Sequence, residues 1–372
     1  MTRSIQGWSI LPLSGLATAL FLSCMASPPQ TVMAFDGGTV RAADTDEASE
    51  VQGLLAELRP ALLALVPDTA FEDIDVWVQD KPSLYRFPTE ATADAEGLWS
   101  AAHRRIMLSR NADDVRRTLA HELVHAALGE TWSALPGTLE EGLADHASTK
   151  LADAGAARLR AGRLSAAALA AGGIELVLAV DRKSDAGRDI RRGWSARVRL
   201  TGDESDPLDV FRLSAGLSTT KLATAPKRGY YGLAFLVVDR IVARYGYDGL
   251  NALCTRAAEE GHDHVPAAWL MAAAELTKER EDWRIAAQSA MGPAELIELV
   301  EMYPDFLVDA LVAYLERLRP DGPVSGWLDS VEVRVSFAES DQRVALSELA
   351  TVRAAVQRRL SERVEVASVE GL

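Results

Sequence analysis

The chain has 372 residues, 48% hydrophobic and 25% charged, enough for one sizeable core and ordinary for a globular protein. Its formal charge of −15 excludes a general polyanion partner, since phosphate binding needs a positive footprint, and no nucleic acid is expected. The two cysteines, Cys24 and Cys254, exclude a disulfide scaffold, and Cys254 in LNALCTRAAEE reads as a small buried helix residue.

The opening segment, MTRSIQGWSILPLSGLATALFLSCMASPPQTVMA, has one Arg near its start, an apolar centre, small residues at its end and no acid before Asp36. That layout predicts a signal peptide over residues 1–34, while Pro12 and Gly15 argue against a spanning helix. Val32 and Ala34 offer a cut before Phe35. FLSC, at residues 21–24, is similar to a bacterial lipoprotein box, which would leave a lipidated Cys24 as the N-terminus and attach the protein to a membrane. Either cut places it outside the cytoplasm, as a secreted, periplasmic or envelope protein.

Residues 35–46 read as a flexible lead-in. DEASEVQGLLAELRPALLALV has helical periodicity, and DIDVWVQD alternates as a strand through Ile74, Val76 and Val78. After a turn-rich stretch with Pro82 and Pro88, HRRIMLSR reads as a second strand. Asn111, with Asp114 three residues on, predicts a cap for a helix beginning near Ala112 and stopping at Gly129. A second helix starts near Thr138, and alanine-rich helical sequence continues to about Ala171. Residues 181–229 are polar and weakly patterned, with one strand in SARVRL; their length between helical blocks suggests a flap over a cleft. Helical periodicity then runs from YYGLAFLVVDRIVARYG to Arg319. A strand in SVEVRVSF and a charged helix form a C-terminal appendage over 320–372, leaving 47–319 as the main domain. The fold class is α+β, mainly helical: a small N-terminal sheet, two functional helices and a helical C-terminal half.

The first of those helices contains TLAHELVHAALG. Each helical residue advances by about 100°, so His121 and His125 lie one turn apart and about 40° apart in azimuth. One ion can take both imidazoles, while Glu122 stands beside that axis, where it can hold and deprotonate a water. By chance such a five-residue pattern arises in roughly one chain in a hundred of this length. A catalytic zinc needs a third protein ligand, and LPGTLEEGLADHAS supplies Glu140, Glu141, Asp145 and His146, all chemically able.

HELVHA, followed by EEGLADH fifteen residues after His125, resembles the gluzincin metallopeptidases, in particular the peptidase MA-like group. That group reads HExxH, a Leu-Pro loop, then W-L-x-E-G-L-A-x-Y. Leu135 and Pro136 match the loop, Leu139 the Leu, and Glu141, Gly142, Leu143 and Ala144 the E-G-L-A; Thr138 stands in place of the Trp and His146 in place of the aromatic. The resemblance implies a zincin-like catalytic domain in which Glu141 is the third ligand to Zn2+, with Glu140 the weaker choice because it points roughly 100° away. It implies a zinc-dependent peptidase acting on peptide or protein substrates, with Glu122 as general base. Asp145, one turn beyond Glu141, would accept a hydrogen bond from His121 and fix its tautomer, or else is a solvated acid. YYGLAFLVVDRIVARYG is similar to a downstream helix of the same proteins, where Tyr231, in preference to Tyr230, would donate to an oxyanion or else is a core aromatic.

Two other functions keep the same motif: a zinc hydrolase with a non-peptide substrate, and a non-catalytic zinc-binding envelope protein. Of the other histidines, His103 reads as a surface residue opening the strand at the cleft edge. His146 reads as a partly exposed helix residue, and His262 and His264 as a solvated turn.

Overall fold

The computed structural model describes residues 31–80, 95–182, 191–202, 204–212, 224–318, 328–329, 331–337 and 340–370. Residues 1–30, the stretch with Pro82 and Pro88, and part of the expected flap lie outside them.

Where the sequence suggested a flexible lead-in, β1 (Thr31–Phe35) and β2 (Gly38–Ala42) form an antiparallel hairpin. The turn depends on Gly37 and Gly38, at φ 92° and 147°; a β-carbon on Gly38 would strike the Ile74 carbonyl of the next strand. Helix α1 (Thr45–Leu65) starts with a reciprocal cap: the Asp44 carboxylate accepts from the Glu47 amide, and the Glu47 carboxylate from the Ala43 amide. It buries one stripe, Ala48, Val51, Leu55, Leu58 and Leu62.

Strand β3 (Ile74–Gln79) buries Ile74, Val76 and Val78 and leaves Asp75, Trp77 and Gln79 half-buried, as alternation requires. With β4 (Gly97–Ser100) and β5 (Arg105–Ser109) it completes a sheet of order β1-β2-β3-β5-β4. Pairs β2–β3 and β3–β5 are parallel; β4 runs antiparallel to β5 and forms an outer edge.

Helix α2 (Val115–Ala127) begins later than expected, because the capping side chain is that of Asp114, which accepts from the Arg117 amide. Asn111 is instead part of a turn in which its own amide donates to the Ser109 hydroxyl. Helix α3 (Gly137–Leu151) is buried on every side from Gly142 to Thr149, which explains its small residues and weak amphipathic pattern. It runs between α2 and α5 (Thr224–Glu259). A β-carbon on Gly142 would lie 2.5 Å from the Ala234 carbonyl of α5, so the two helices meet backbone to backbone. Helix α4 (Ala156–Ala170) packs on the other flank of α5, and α5 is broken at Gly246, where φ is 68°.

A second sheet, β7-β6-β8-β9, is antiparallel throughout: β6 (Ile174–Arg182), β7 (Arg191–Leu200), β8 (Val331–Phe337) and β9 (Ser340–Ala345). The strand expected in SARVRL is the second half of β7, which begins at Arg191, and the C-terminal segment read as an appendage is joined to the rest by the β6–β8 pairing. Helices α6 (Ala267–Ala274), α7 (Arg280–Ser289), α8 (Pro293–Met302), α9 (Pro304–Leu318) and α10 (Ala350–Glu370) complete an α+β fold in which helix dominates. Among the described residues no helix is long and apolar enough to cross a membrane.

Candidate metal centre

The α2 face carrying His121 and His125 meets the first turns of α3, and this contact brings Glu141 between the two rings. The Glu141 Oε2 lies 3.4 Å from His121 Nε2 and 3.6 Å from His125 Nε2, and the two Nε2 atoms are 3.3 Å apart. One ligand atom from each residue falls within 4.8 Å of the others, and no second such cluster occurs among the described residues. Two imidazole nitrogens and one carboxylate oxygen are the donor set of an open catalytic zinc site.

Both outer ring nitrogens are committed elsewhere. His121 Nδ1 is 3.1 Å from Asp145 Oδ1, and His125 Nδ1 is 2.6 Å from Glu140 Oε1. With each Nδ1–H donating to a carboxylate, each Nε2 is left facing the common centre and Glu141, where a metal would take the place of its proton. Asp145 is itself held by Arg163, whose Nε donates to Oδ2 at 2.5 Å. Glu140 stands outside the three-residue cluster: the rotation that takes it off the axis of Glu141 puts it on His125. Arg163, eighteen residues beyond Asp145 on α4, gave no signal in any local motif.

Electrostatics follow the geometry. Burial by itself would lower the His121 pKa, but hydrogen bonds to Asp145 and Glu141 raise it to about 9. Burial also opposes the charge on His125, yet Glu140 and Glu141 hold its pKa well above the ordinary value. Burial would raise Glu141, but the two histidines hold it well below the usual carboxylate range. Asp145 is likewise lowered, against burial, by Arg163 and His121. Glu122 moves the other way: burial raises it, more than the two histidines lower it.

Glu122 is 7% exposed and accepts the main-chain N–H of Trp99 in β4. Gly97 makes this approach feasible, since a β-carbon there would lie 2.7 Å from Glu122 Oε1 and from Thr118 Cγ2. The strand lying against the site is thus β4, and not the strand read as opening at His103. Strand β5 is interior to the sheet, and His103 sits exposed in a short turn, its Nδ1 3.0 Å from the Ser100 hydroxyl.

A cavity of about 460 Å³ opens over His121, His125 and Glu141, lined by residues of β4, α2, α3, α4 and α5. Tyr231 lines it, with the Arg163 guanidinium 5.0 Å from its ring centre. Burial and the nearby Glu141 push its hydroxyl pKa upward, so it is a neutral donor. Tyr230 turns away and donates to Asp209 at 3.3 Å. His146, expected to be partly exposed, is 3% exposed and faces away from the cavity set. Its Nδ1 lies 2.8 Å from the Tyr247 hydroxyl and its Nε2 3.3 Å from Asp239, which joins α3 to α5. Burial pushes the Cys254 thiol up to about 12, which fits a core residue and not a nucleophile. His262 and His264 are exposed and belong to no metal cluster.

Compared with known protein families, with curated proteins and with solved structures, the chain finds no match.

Proposed function

We propose that this chain is a zinc-dependent peptidase of the gluzincin type, exported from the cytoplasm. The observation that carries the reading is the buried Glu122 carboxylate beside an open three-ligand centre at the floor of a cavity. A purely structural zinc closes with four protein ligands and has no use for a base at its side.

His121, His125 and Glu141 would hold the ion, with Asp145 and Glu140 fixing the two rings. Zinc there supplies Lewis acidity, polarising a scissile carbonyl and favouring deprotonation of the attacking water. Glu122 takes that water's proton and later delivers it to the leaving amine nitrogen. The Tyr231 hydroxyl, neutral and facing the cavity, donates to the oxygen that becomes negative as the carbonyl turns tetrahedral. Strand β4 presents an outer edge beside Glu122, where an extended peptide can add main-chain hydrogen bonds. That edge favours a peptide over other zinc-hydrolase substrates.

Elemental analysis combined with a mixed peptide library tests the reading. We expect about one zinc per chain, cleavage of some peptides, loss of cleavage with a chelator and recovery when zinc is returned. A folded protein that refuses added zinc, or one that holds zinc and cuts no peptide, would refute it.

The N-terminal hairpin bears on export. A cut before Phe35 would remove Thr31 to Ala34, the strand whose residues pair with Thr39 to Ala42 of β2, whereas a cut at Cys24 leaves β1 whole. We therefore expect intact mass and N-terminal sequencing of the mature protein to place its first residue at or before Thr31. A mature chain starting at Phe35 would contradict this.

A further inference from the structure

Resting on the peptidase reading, we propose that the arm of the cleft on the N-terminal side of the metal centre recognises a carboxylate, an acidic side chain of the substrate, through Arg117 and Arg163. The cavity runs along one face of α2, on which Arg117, His121 and His125 follow at intervals of one turn. One turn is about 5.4 Å, so a side chain of a residue flanking the scissile bond reaches Arg117.

Hydrogen-bond capacity identifies what that side chain must carry. An arginine has five N–H donors and a carboxylate about four acceptor positions. Glu96, on the opposite wall, is largely used: it accepts from the Asp113 amide at 3.3 Å and the Thr118 hydroxyl at 3.2 Å, with Arg117 Nη2 at 3.5 Å. Arg117 has that one long contact and nothing closer among the described residues. Arg163 commits only its Nε, to Asp145, and its two terminal nitrogens have no hydrogen-bond partner among the described residues. Both side chains line the cavity and are only 21% and 25% exposed, so open water does not satisfy them fully. Around Arg117, then, charged donors outnumber free acceptors, and the unpaired terminal nitrogens of Arg163 add to them from beside Asp145 and Tyr231, while the other carboxylates of the cavity lie at the metal centre. A planar carboxylate is the acceptor that matches a guanidinium fork, and each such pair is charge-assisted. A lysine side chain would instead meet two like charges and a glutamate already occupied.

The test uses blocked hexapeptides identical but for Glu, Gln or Lys at one position, scanned along the peptide. Cleavage by the zinc-loaded protein is read by mass spectrometry, and binding to its Glu122→Gln variant by fluorescence anisotropy. We expect Glu to be preferred over Gln by roughly tenfold at one position flanking the cut, in both readouts. That ratio should collapse toward one in Arg117→Met and persist in part in Arg117→Lys. The ratio is internal to each variant, and the α2 cap uses the Arg117 main chain, which the substitution leaves in place. Glu96→Gln should sharpen the preference by freeing Arg117. Cleavage with a preference for Lys, or a Glu-to-Gln ratio unchanged by Arg117→Met, overturns the subsite while leaving the peptidase standing. If the zinc-loaded protein cuts no peptide, the peptidase reading fails, and the binding readout still decides for or against the carboxylate site.

Discussion

Glu122→Gln is expected to keep its zinc and lose peptide hydrolysis by roughly 10²- to 10⁴-fold, the usual range for a positioned general base. The amide oxygen can still accept the Trp99 N–H, so strand β4 has no reason to move. What is lost is basicity at the atom that must take the proton. The substitution also separates a catalytic from a structural carboxylate. Burial makes the ionised form of Glu122 costly, so its folded pKa lies above the unfolded one. A raised acid pKa means that stability falls as pH climbs from the unfolded value through the folded one. At neutral pH the neutral amide should therefore leave the metal-free protein as stable as the wild type or more so, a trade often made at active sites. Zinc content, turnover on the best library peptide and thermal unfolding of the metal-free protein decide the matter. A variant that unfolds earlier and loses zinc would show a carboxylate needed for structure.

The spacing of two histidines on one turn made the heart of the candidate site legible in the sequence, because helix geometry is nearly invariant and four residues return to one face. Glu141 needed more: sequence chemistry left four residues open, and the contact of α2 with α3 selects among them. Partners that depend on how helices pack were not legible. Arg163 lies on the helix that follows α3, eighteen residues beyond Asp145, and reaches it through the packing of α3, α4 and α5, contacts that no local pattern encodes. Strand β6 had a period-two signal, with Ile174, Leu176, Leu178 and Val180 all buried, but it follows directly on alanine-rich helical sequence. Strand β4 is four residues long, too short for periodicity to register, yet it is the element that meets Glu122.

Zinc uptake by the metal-free protein is expected to release protons and to tighten as pH rises toward 9. In the absence of metal, His121 has a pKa of about 9 and that of His125 is well above the ordinary value, so both rings are cationic at neutral pH. Glu141 is already ionised and contributes no proton. A ring must surrender its Nε2 proton to become a ligand while Nδ1–H stays on its carboxylate, so up to two protons leave per ion bound. Apparent affinity then rises by as much as about tenfold per pH unit for each proton released, and the slope flattens once His121 titrates. Stability of the metal-free protein has the opposite sign. Because these folded pKa values are raised, the histidine–carboxylate pairs contribute fully below the unfolded value near 6.5, and the His121 contribution fades as pH passes through about 9. The gain in melting temperature on adding zinc should accordingly be larger at pH 9 than at pH 6.5. Calorimetric titration in buffers of different ionisation enthalpy counts the protons, with His125→Ala as the control that removes one of them along with the site. Uptake at neutral pH without proton release would mean that the rings are neutral beforehand, and that the carboxylates around them orient the ligands without charging them.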